Sequence, residues 1–228
     1  MKMRKSCPNI KVPPLDAYEL DTPRTRHKFK YFMENLFCPK VIKNYSPPDP
    51  IPDKKTLVLD LDETLIHSDD FPPHPEIEFF EVGNPKFFVH KRPGLDHFIK
   101  FACEKFEVFT FTYGTKEYAE EILNKICPQV PQDHRLYREL CFLHHSGQIQ
   151  KNLDILKRKP ENIILIDDCN DQKYFNPNNT IVIPEWKGTP WDTCLIDIVP
   201  GILEKCLQAD DVRAIITKIP SNIRRASF

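Results

Sequence analysis

The chain has 228 residues, 40% hydrophobic and 29% charged, with a formal net charge of −1; such values belong to a soluble globular protein, long enough for one full α/β domain with extensions and short for two. It contains no run of about 18 apolar residues, so no membrane-spanning helix is expected, and the basic stretch Met1 to Pro14 lacks the apolar core of a secretory leader. The eight cysteines are scattered with no Cys-x-x-Cys pair, and Cys141, His144 and His145 have no second ligand pair at zinc spacing, so reduced, buried thiols in a nuclear or cytoplasmic protein are expected.

Charge is uneven along the chain. Residues 1–55 carry 12 Lys/Arg against six Asp/Glu, and the remainder 20 against 27, giving a basic arm and an acidic body. The arm shows neither repeated arginines nor interleaved aromatic residues, so no direct nucleic-acid contact is expected. Prolines 8, 13, 14, 23, 39, 47, 48, 50 and 52 break regular structure throughout residues 1–54. One amphipathic piece, His27 to Phe37, has apolar residues at helical spacing and reads as a short helix; Ser46 to Asp53 reads as an extended lead-in. Residues 1–54 are therefore an N-terminal extension, 55–208 the folded domain and 209–228 a tail.

The body begins with Lys55 to His67, a leucine-rich and β-branched run that stops on Asp60 and Asp62, as a buried strand does when its carboxyl end opens into a site. Two β-rich runs, Glu76 to Val82 and Lys86 to Lys91, flank Gly83-Asn84-Pro85 and predict a β-hairpin inserted before the first long helix. That helix follows from Leu95, Phe98, Ile99, Ala102 and Cys103 at helical spacing. A second strand, Phe106 to Thr112, ends at Tyr113-Gly114, after which Thr115 is the expected N-cap of a helix through Tyr118, Ile122, Leu123 and Ile126. The third βα unit is Leu136 to Leu143, a loop at His145-Ser146-Gly147, and a short helix from Lys151 through Leu156. The fourth strand, Asn162 to Ile166, ends on Asp167-Asp168, Thr180 to Ile183 makes a fifth, and Asp192 to Leu207 a closing helix containing Pro200. Strands alternating with helices predict right-handed crossovers and a parallel sheet covered on both faces. The tail, of weak periodicity, ends Arg224-Arg225-Ala226-Ser227, the pattern of a basophilic-kinase site or simply a frayed terminus.

Asp60 and Asp62 are two residues apart where a strand gives way to a loop, so both carboxylates can be aimed at one point. Paired carboxylates repel unless a cation lies between them or one holds a proton. The first case predicts a hard divalent ion, most simply Mg²⁺; the second predicts an acid/base residue beside a nucleophile. The alternative is that Asp62 or Thr64 merely caps the turn. The other strand ends add a hydroxyl at Thr112, an ammonium at Lys151 after the third strand, and two acids at Asp167 and Asp168. Thr112 can donate to a phosphoryl oxygen, Lys151 can supply it with positive charge, and the acids can complete a metal shell.

Asp60-Leu61-Asp62-Glu63-Thr64-Leu65 resembles motif I of the haloacid dehalogenase superfamily, and Thr112, Lys151 and Asp167-Asp168 resemble its motifs II, III and IV. More narrowly, residues 55 to 205 resemble the Fcp/Scp-type small phosphatases of the RNA polymerase II C-terminal domain and their Dullard-type relatives, through Leu57-to-His67, Lys91-Arg92-Pro93, Phe111-Thr112, Tyr118-Ala119, Tyr137-Arg138-Glu139, Lys151, Asp167-Asp168, Asn176-Pro177 and Trp186. The resemblance implies a Rossmann-like, HAD-like α/β sheet with helices on both faces and a small inserted β-hairpin near the active site. It also implies a Mg²⁺-dependent protein serine/threonine phosphatase in which Asp60 becomes an aspartyl-phosphate and Asp62 protonates the departing serine oxygen, then deprotonates water. Mg²⁺ would be held by Asp60, the backbone carbonyl of Asp62, and Asp168, with Asp167 orienting Lys151 or a metal-bound water. Thr64 and Arg138 would hold phosphate, and Phe71 and Tyr118 would receive a Ser-Pro phosphopeptide such as the polymerase domain. The chain departs from these relatives at Tyr113-Gly114, where Ala-Ser is common, at Asp69 and Asp70, which add negative charge at the substrate entrance, and at Asp168, where many small phosphatases have asparagine. Two other readings use the same fold: a non-catalytic binding or import-receptor protein, expected to have lost the first acid and to carry a transit peptide and membrane segment, and a small-metabolite phosphatase. Nothing in the pattern specifies an oligomer.

Overall fold

A computed structural model describes residues 45–143, 148–219 and Ile223. These lie in the second of two units, Pro39–Phe228; the helix expected over His27 to Phe37 and the sequence Arg224 to Ser227 lie outside the described residues. In chain order the strands and helices are β1 (Thr56–Leu59), β2 (Ile66–Asp69), β3 (Phe79–Val82), β4 (Phe87–Lys91), α1 (Leu95–Lys105), β5 (Glu107–Phe111), α2 (Lys116–Ile126), β6 (Arg135–Leu136), β7 (Phe142–Leu143), β8 (Ile149–Gln150), β9 (Ile163–Asp167), α3 (Asn170–Phe175), β10 (Thr180–Val182), α4 (Val199–Gln208) and α5 (Arg213–Ile216).

Five of these strands form one sheet in the order β10-β9-β1-β5-β6, and every pairing in it is parallel. All four residues of β1 are buried because the strand has neighbours on both sides. The register aligns Leu59 with Thr110 of β5 and with Ile166 of β9, so the ends of the three central strands lie at nearly the same level. The chain builds outward from β1 through β5 to β6, then returns to add β9 and β10 on the other side. That reversal beside β1 is where open α/β sheets leave a crevice for ligands.

Side chains alternate across the sheet. Leu57, Leu59, Val108, Ile164 and Ile166 face one side and pack with Phe98, Ile122, Leu123 and Leu203 from α1, α2 and α4. Val58, Phe109, Phe111 and Leu165 face the other, where Leu136, Cys141, Leu153 and Leu156 cover them. On this second face the apolar cover includes a 3₁₀ turn, Leu153–Leu156, where a short helix from Lys151 was expected. The Asn152 side chain accepts from Asp154 N to start that turn, and Lys157, at φ 52°, ends it.

Several elements differ from the pattern in the sequence, each for a local reason. Ile66–Asp69 pairs with β4, so the expected hairpin is a three-stranded sheet in the order β2-β4-β3. The third strand is only Arg135–Leu136, after which the chain turns through Arg138–Leu140 and forms a separate two-stranded ladder of β7 and β8; a very short edge strand also leaves little unpaired backbone to recruit another chain. The closing helix begins as a π-helical turn, Cys194–Ile198, and becomes α4 at Val199, which puts Pro200 in the first turn where its missing N–H is not needed. The expected tail is anchored at its start: Val212 N donates to the Glu161 carbonyl (3.0 Å), and Val212 and Ile216 are buried in the helical face of the core.

The amino ends of the same strands are tied by a buried carboxylate. Glu107 accepts from Thr56 Oγ1 (2.8 Å) and from Arg158 Nε (2.8 Å) and Nη2 (2.6 Å), and Arg158 Nη2 also donates to the Pro48 carbonyl (2.9 Å), fastening the lead-in to the sheet. Burial alone would raise the Glu107 pKa; the Arg158 and Thr56 bonds overcome it and hold the carboxyl below its ordinary value.

Candidate active site

The loop after β1 is a tight reversal. Asp60 N still donates to the Ile166 carbonyl of β9 (3.0 Å), then Leu65 N and Ile66 N both turn back to the Leu61 carbonyl at 2.8 and 3.2 Å. Glu63 takes a left-handed conformation, φ 62°, at the tip. A residue with a side chain stays there only when its surroundings hold it, and three contacts do so: its carboxylate meets His67 Nδ1 at 2.9 Å, its N–H donates to the Ile66 carbonyl (2.7 Å), and its carbonyl accepts from Trp186 N (2.8 Å). The fully buried Arg92 braces the loop from below, donating to the carbonyls of Thr64 (3.0 Å) and Pro184 (3.1 Å) while its fork takes both oxygens of Asp192 at 2.8 and 2.9 Å. Arg92 thereby joins the loop after β1 to the segment after β10.

Above this brace the strand ends converge. Lys151 Nζ lies between Asp60 Oδ1 (2.5 Å) and Asp167 Oδ2 (2.6 Å), and all three residues are buried. Thr64 Oγ1 donates to Asp60 Oδ2 (3.0 Å) and approaches Asp168 Oδ1 (3.4 Å); Cys169 N donates to Asp167 Oδ1 (2.9 Å). Burial pushes the Lys151 ammonium toward neutrality, but Asp167 and Asp60 more than reverse that and hold it charged. Its backbone is equally fixed: Lys151 N donates to Gln172 Oε1 (3.0 Å), Gln172 Nε2 donates to the Ile149 carbonyl (2.7 Å), and Asn176 Nδ2 donates to the Lys151 carbonyl (3.0 Å).

Asp62 stands on the other side of the turn, half-buried. Tyr118 OH donates to its Oδ1 (2.5 Å) and Thr112 Oγ1 approaches its Oδ2 (3.4 Å), while Gly114 N donates to Thr112 Oγ1 (2.9 Å). Thus Asp60, Thr64, Lys151, Asp167 and Asp168 form one hydrogen-bonded group and Asp62 and Thr112 another, joined by the turn after β1 and drawn from the ends of β1, β5 and β9 and the segment after β8.

Asp60, Asp167 and Asp168 bring carboxylate oxygens to within 4.8 Å of one another. Lys151 is the ammonium bonded into this cluster, so negative charge is in excess, and the donors are all hard oxygens. That combination fits a divalent cation of the Mg²⁺ type held among these three carboxylates. The charge excess has a measurable consequence. Burial and the charges of Asp60 and Asp167 push the Asp168 carboxyl up to about 8, and burial, against the pull of Lys151, pushes Asp167 up to about 6. Both groups hold protons more tightly folded than unfolded, so the stability they contribute is full below about pH 4 and is lost as pH rises through about 6 to 8. In the presence of a chelator the melting temperature is expected to fall between about pH 5 and pH 8, and millimolar Mg²⁺ to restore it at pH 8; thermal melts at both pH values check this, and a metal-free protein with equal melting points would contradict it.

Residues 55–213 match the family model described as NLI interacting factor-like phosphatase. The chain belongs to this family. It is 34% identical over 181 residues to a probable C-terminal domain small phosphatase of Dictyostelium discoideum, covering 74% of this chain and 56% of the relative. It is 31% identical over 214 residues to the mitochondrial import inner membrane translocase subunit TIM50 of Candida albicans, covering 90% of this chain and 42% of that protein. The solved structure of the fission yeast RNA polymerase II CTD phosphatase Fcp1 aligns with a TM-score of 0.47 at 26% identity, over 59% of this chain and 42% of the other. The chain spans about half the length of the first curated relatives it matches.

Within this NLI interacting factor-like phosphatase domain, two residues expected at the substrate make the following contacts. Phe71 is 63% exposed, three residues beyond Ser68, with its carbonyl accepting from His90 Nε2 (3.0 Å). Arg138, expected to clamp phosphate, donates from Nε to the Tyr113 carbonyl (2.7 Å) and lays its guanidinium on the Tyr113 ring (4.7 Å), which holds the turn after β5. Four supporting residues were given no role by the sequence, although Arg92 and Asn176 belong to motifs that carry the resemblance. Ser68 meets the Tyr118 hydroxyl (2.7 Å), Gln172 and Asn176 hold the Lys151 backbone, and Arg92 braces the loop after β1. Arg92 follows a strand and precedes Pro93, where only the identity of its distant partners, Asp192 and Pro184, reveals the role. Among the described residues, no helix is long and apolar enough to cross a membrane.

Proposed function

We propose that this domain hydrolyses phosphoserine and phosphothreonine in proteins through an aspartyl-phosphate on Asp60. The observation that carries the reading is the gathering of four carboxylates, an ammonium and two hydroxyls at the carboxyl end of the central strands, with Asp60 and Asp62 on opposite sides of one turn. A carboxylate oxygen of Asp60 attacks phosphorus as the serine oxygen departs with the proton from Asp62. Asp62 then takes a proton from water, which attacks the acyl phosphate and releases inorganic phosphate with Asp60 regenerated. A carboxylate suits this step because the acyl phosphate it forms is itself readily hydrolysed. Lys151, Thr64 and Thr112 offer charge and hydrogen bonds to the phosphoryl oxygens. Mg²⁺ bound by Asp60, Asp168 and the Asp62 carbonyl would supply further positive charge at the same oxygens.

A protein substrate is favoured by the small inserted sheet, which is three short strands rather than a domain-sized cap, and by the exposed Phe71 ring near the entrance. A Ser-Pro phosphopeptide of the kind found in the RNA polymerase II C-terminal domain would lie there in extended form, with its proline against an aromatic ring. The names of the phosphatase relatives point the same way. Similarity to the import subunit covers the larger share of this chain, and for a receptor without turnover no phosphatase activity at all is expected. Rates on a phosphoserine-proline peptide and on a hexose phosphate in Mg²⁺ decide the class: kcat/KM is expected to favour the peptide by at least about 100-fold, roughly 3 kcal/mol of differential transition-state binding. Equal rates would point to a small-metabolite enzyme, and none on either substrate to a carrier.

A further inference from the structure

Tyr118 was expected on the substrate face, yet its hydroxyl is turned onto Asp62. The phenol has one proton, and the 2.5 Å contact with Asp62 Oδ1 uses it; the Ser68 hydroxyl, 2.7 Å away, therefore donates to Tyr118. The ring is fixed as well. Phe87 of β4 stacks on it at 5.7 Å between centroids and 20° between planes. On the side of the turn after β5 it lies so close to Gly114 that a Cβ there would fall 2.9 Å from Tyr118 Cδ1 and 3.2 Å from Thr112 Oγ1. Gly114 is one of the positions where the chain departs from the pattern Ala-Ser, and its missing side chain is what lets the phenol close onto the carboxylate. With Thr112 at the second oxygen, Asp62 is gripped at both ends.

We propose that Tyr118 is a positioning residue for Asp62: through the hydrogen bond made on the space that Gly114 leaves open and steadied by Ser68 and Phe87, it sets the orientation from which Asp62 delivers a proton to the leaving oxygen. The inference rests on the proposed acid role of Asp62. Tyr118 keeps its own proton throughout; the proton that travels is the one on Asp62, which passes to the leaving oxygen as the phosphorus–oxygen bond breaks and is replaced from water in the second step. A positioned acid matters most when the leaving group is a poor one, because a good leaving group departs without protonation.

The experiment compares nitrophenyl phosphate, whose phenolate leaves readily, with phenyl phosphate, which has nearly the same shape and needs protonation more. Tyr118→Phe is expected to lose about tenfold more kcat on phenyl than on nitrophenyl phosphate with KM unchanged on both, the scale of one strong hydrogen bond to a charged group. Gly114→Ala and Ser68→Ala are expected to show the same discrimination in smaller measure, and they keep the test open if the phenylalanine variant folds poorly. Asp62→Asn serves as the reference and is expected to discriminate most. If Asp62→Asn discriminates and the Tyr118, Gly114 and Ser68 variants lose activity equally on both esters, or in KM alone, the positioning role is wrong while the acid assignment stands. If Asp62→Asn does not discriminate, the acid assignment fails and the positioning role with it.

Discussion

Asp60→Asn is expected to abolish turnover of an aryl phosphate in Mg²⁺, lowering kcat by at least about four orders of magnitude, or more than about 5 kcal/mol of transition-state stabilisation. The substitution removes the attacking charge but keeps the shape of the side chain, and an amide oxygen can still accept from Lys151 and Thr64, which hold the carboxylate at 2.5 and 3.0 Å. It also removes one of three crowded carboxylates. Stability should therefore be kept or improved in metal-free buffer, so lost activity cannot be ascribed to unfolding. Steady-state rates beside a thermal melt of the same sample provide the check. Turnover retained by a folded Asp60→Asn protein would reject Asp60 as the nucleophile.

Lys151→Met is expected to have the second largest effect, this time on stability as well as on rate. Lys151 is 3% exposed and its ammonium is bonded to two buried carboxylates, so methionine fills the space while leaving Asp60 and Asp167 facing each other uncompensated. Removing one partner of a buried ion pair costs about 3–5 kcal/mol, mostly the penalty of stranding the opposite charge. Urea unfolding at pH 8 in chelator should register that loss. The loss should shrink at about pH 5, where the Asp167 carboxyl, pushed up to about 6 by burial, takes up a proton. Adding Asp167→Asn to Lys151→Met should recover much of the stability, since the two residues are in contact and their effects cannot be additive. A Lys151→Met protein as stable as the parent at pH 8 would mean the cluster is wetter or more weakly charged than its geometry requires.

The alternation of apolar strands with amphipathic helices made the parallel sheet legible, because strand period and helix period are local properties of sequence. The candidate site residues were legible for a related reason: Asp60, Asp62, Thr112, Asp167 and Asp168 stand at or just beyond the ends of apolar strands, and the parallel register brings those ends side by side. The small sheet was half legible. Its hairpin is written in Glu76 to Lys91, but β2 is four residues, Ile-His-Ser-Asp, whose strand character comes from the partner β4 supplies. The 3₁₀ turn at Leu153–Leu156 and the π-helical start of α4 are endings and beginnings, set by a cap and a proline rather than by periodicity.

The roles of Arg92, Gln172 and Tyr118 were decided by tertiary structure alone. Each acts on a residue far away in the chain: Arg92 on Asp192, Gln172 on Lys151, Tyr118 on Asp62. A hydrogen bond is made over about 3 Å of space, and no spacing rule within one strand or helix reports which side chain a fold will bring that near. By itself, then, the sequence determined the sheet, the end of it that carries chemistry and the acids offered there, since those follow from local pattern and parallel pairing. Only the tertiary structure decided how the acids are held, that Lys151 neutralises two of them and that Tyr118 turns to a carboxylate, because these depend on distances between segments whose meeting is a property of the whole fold.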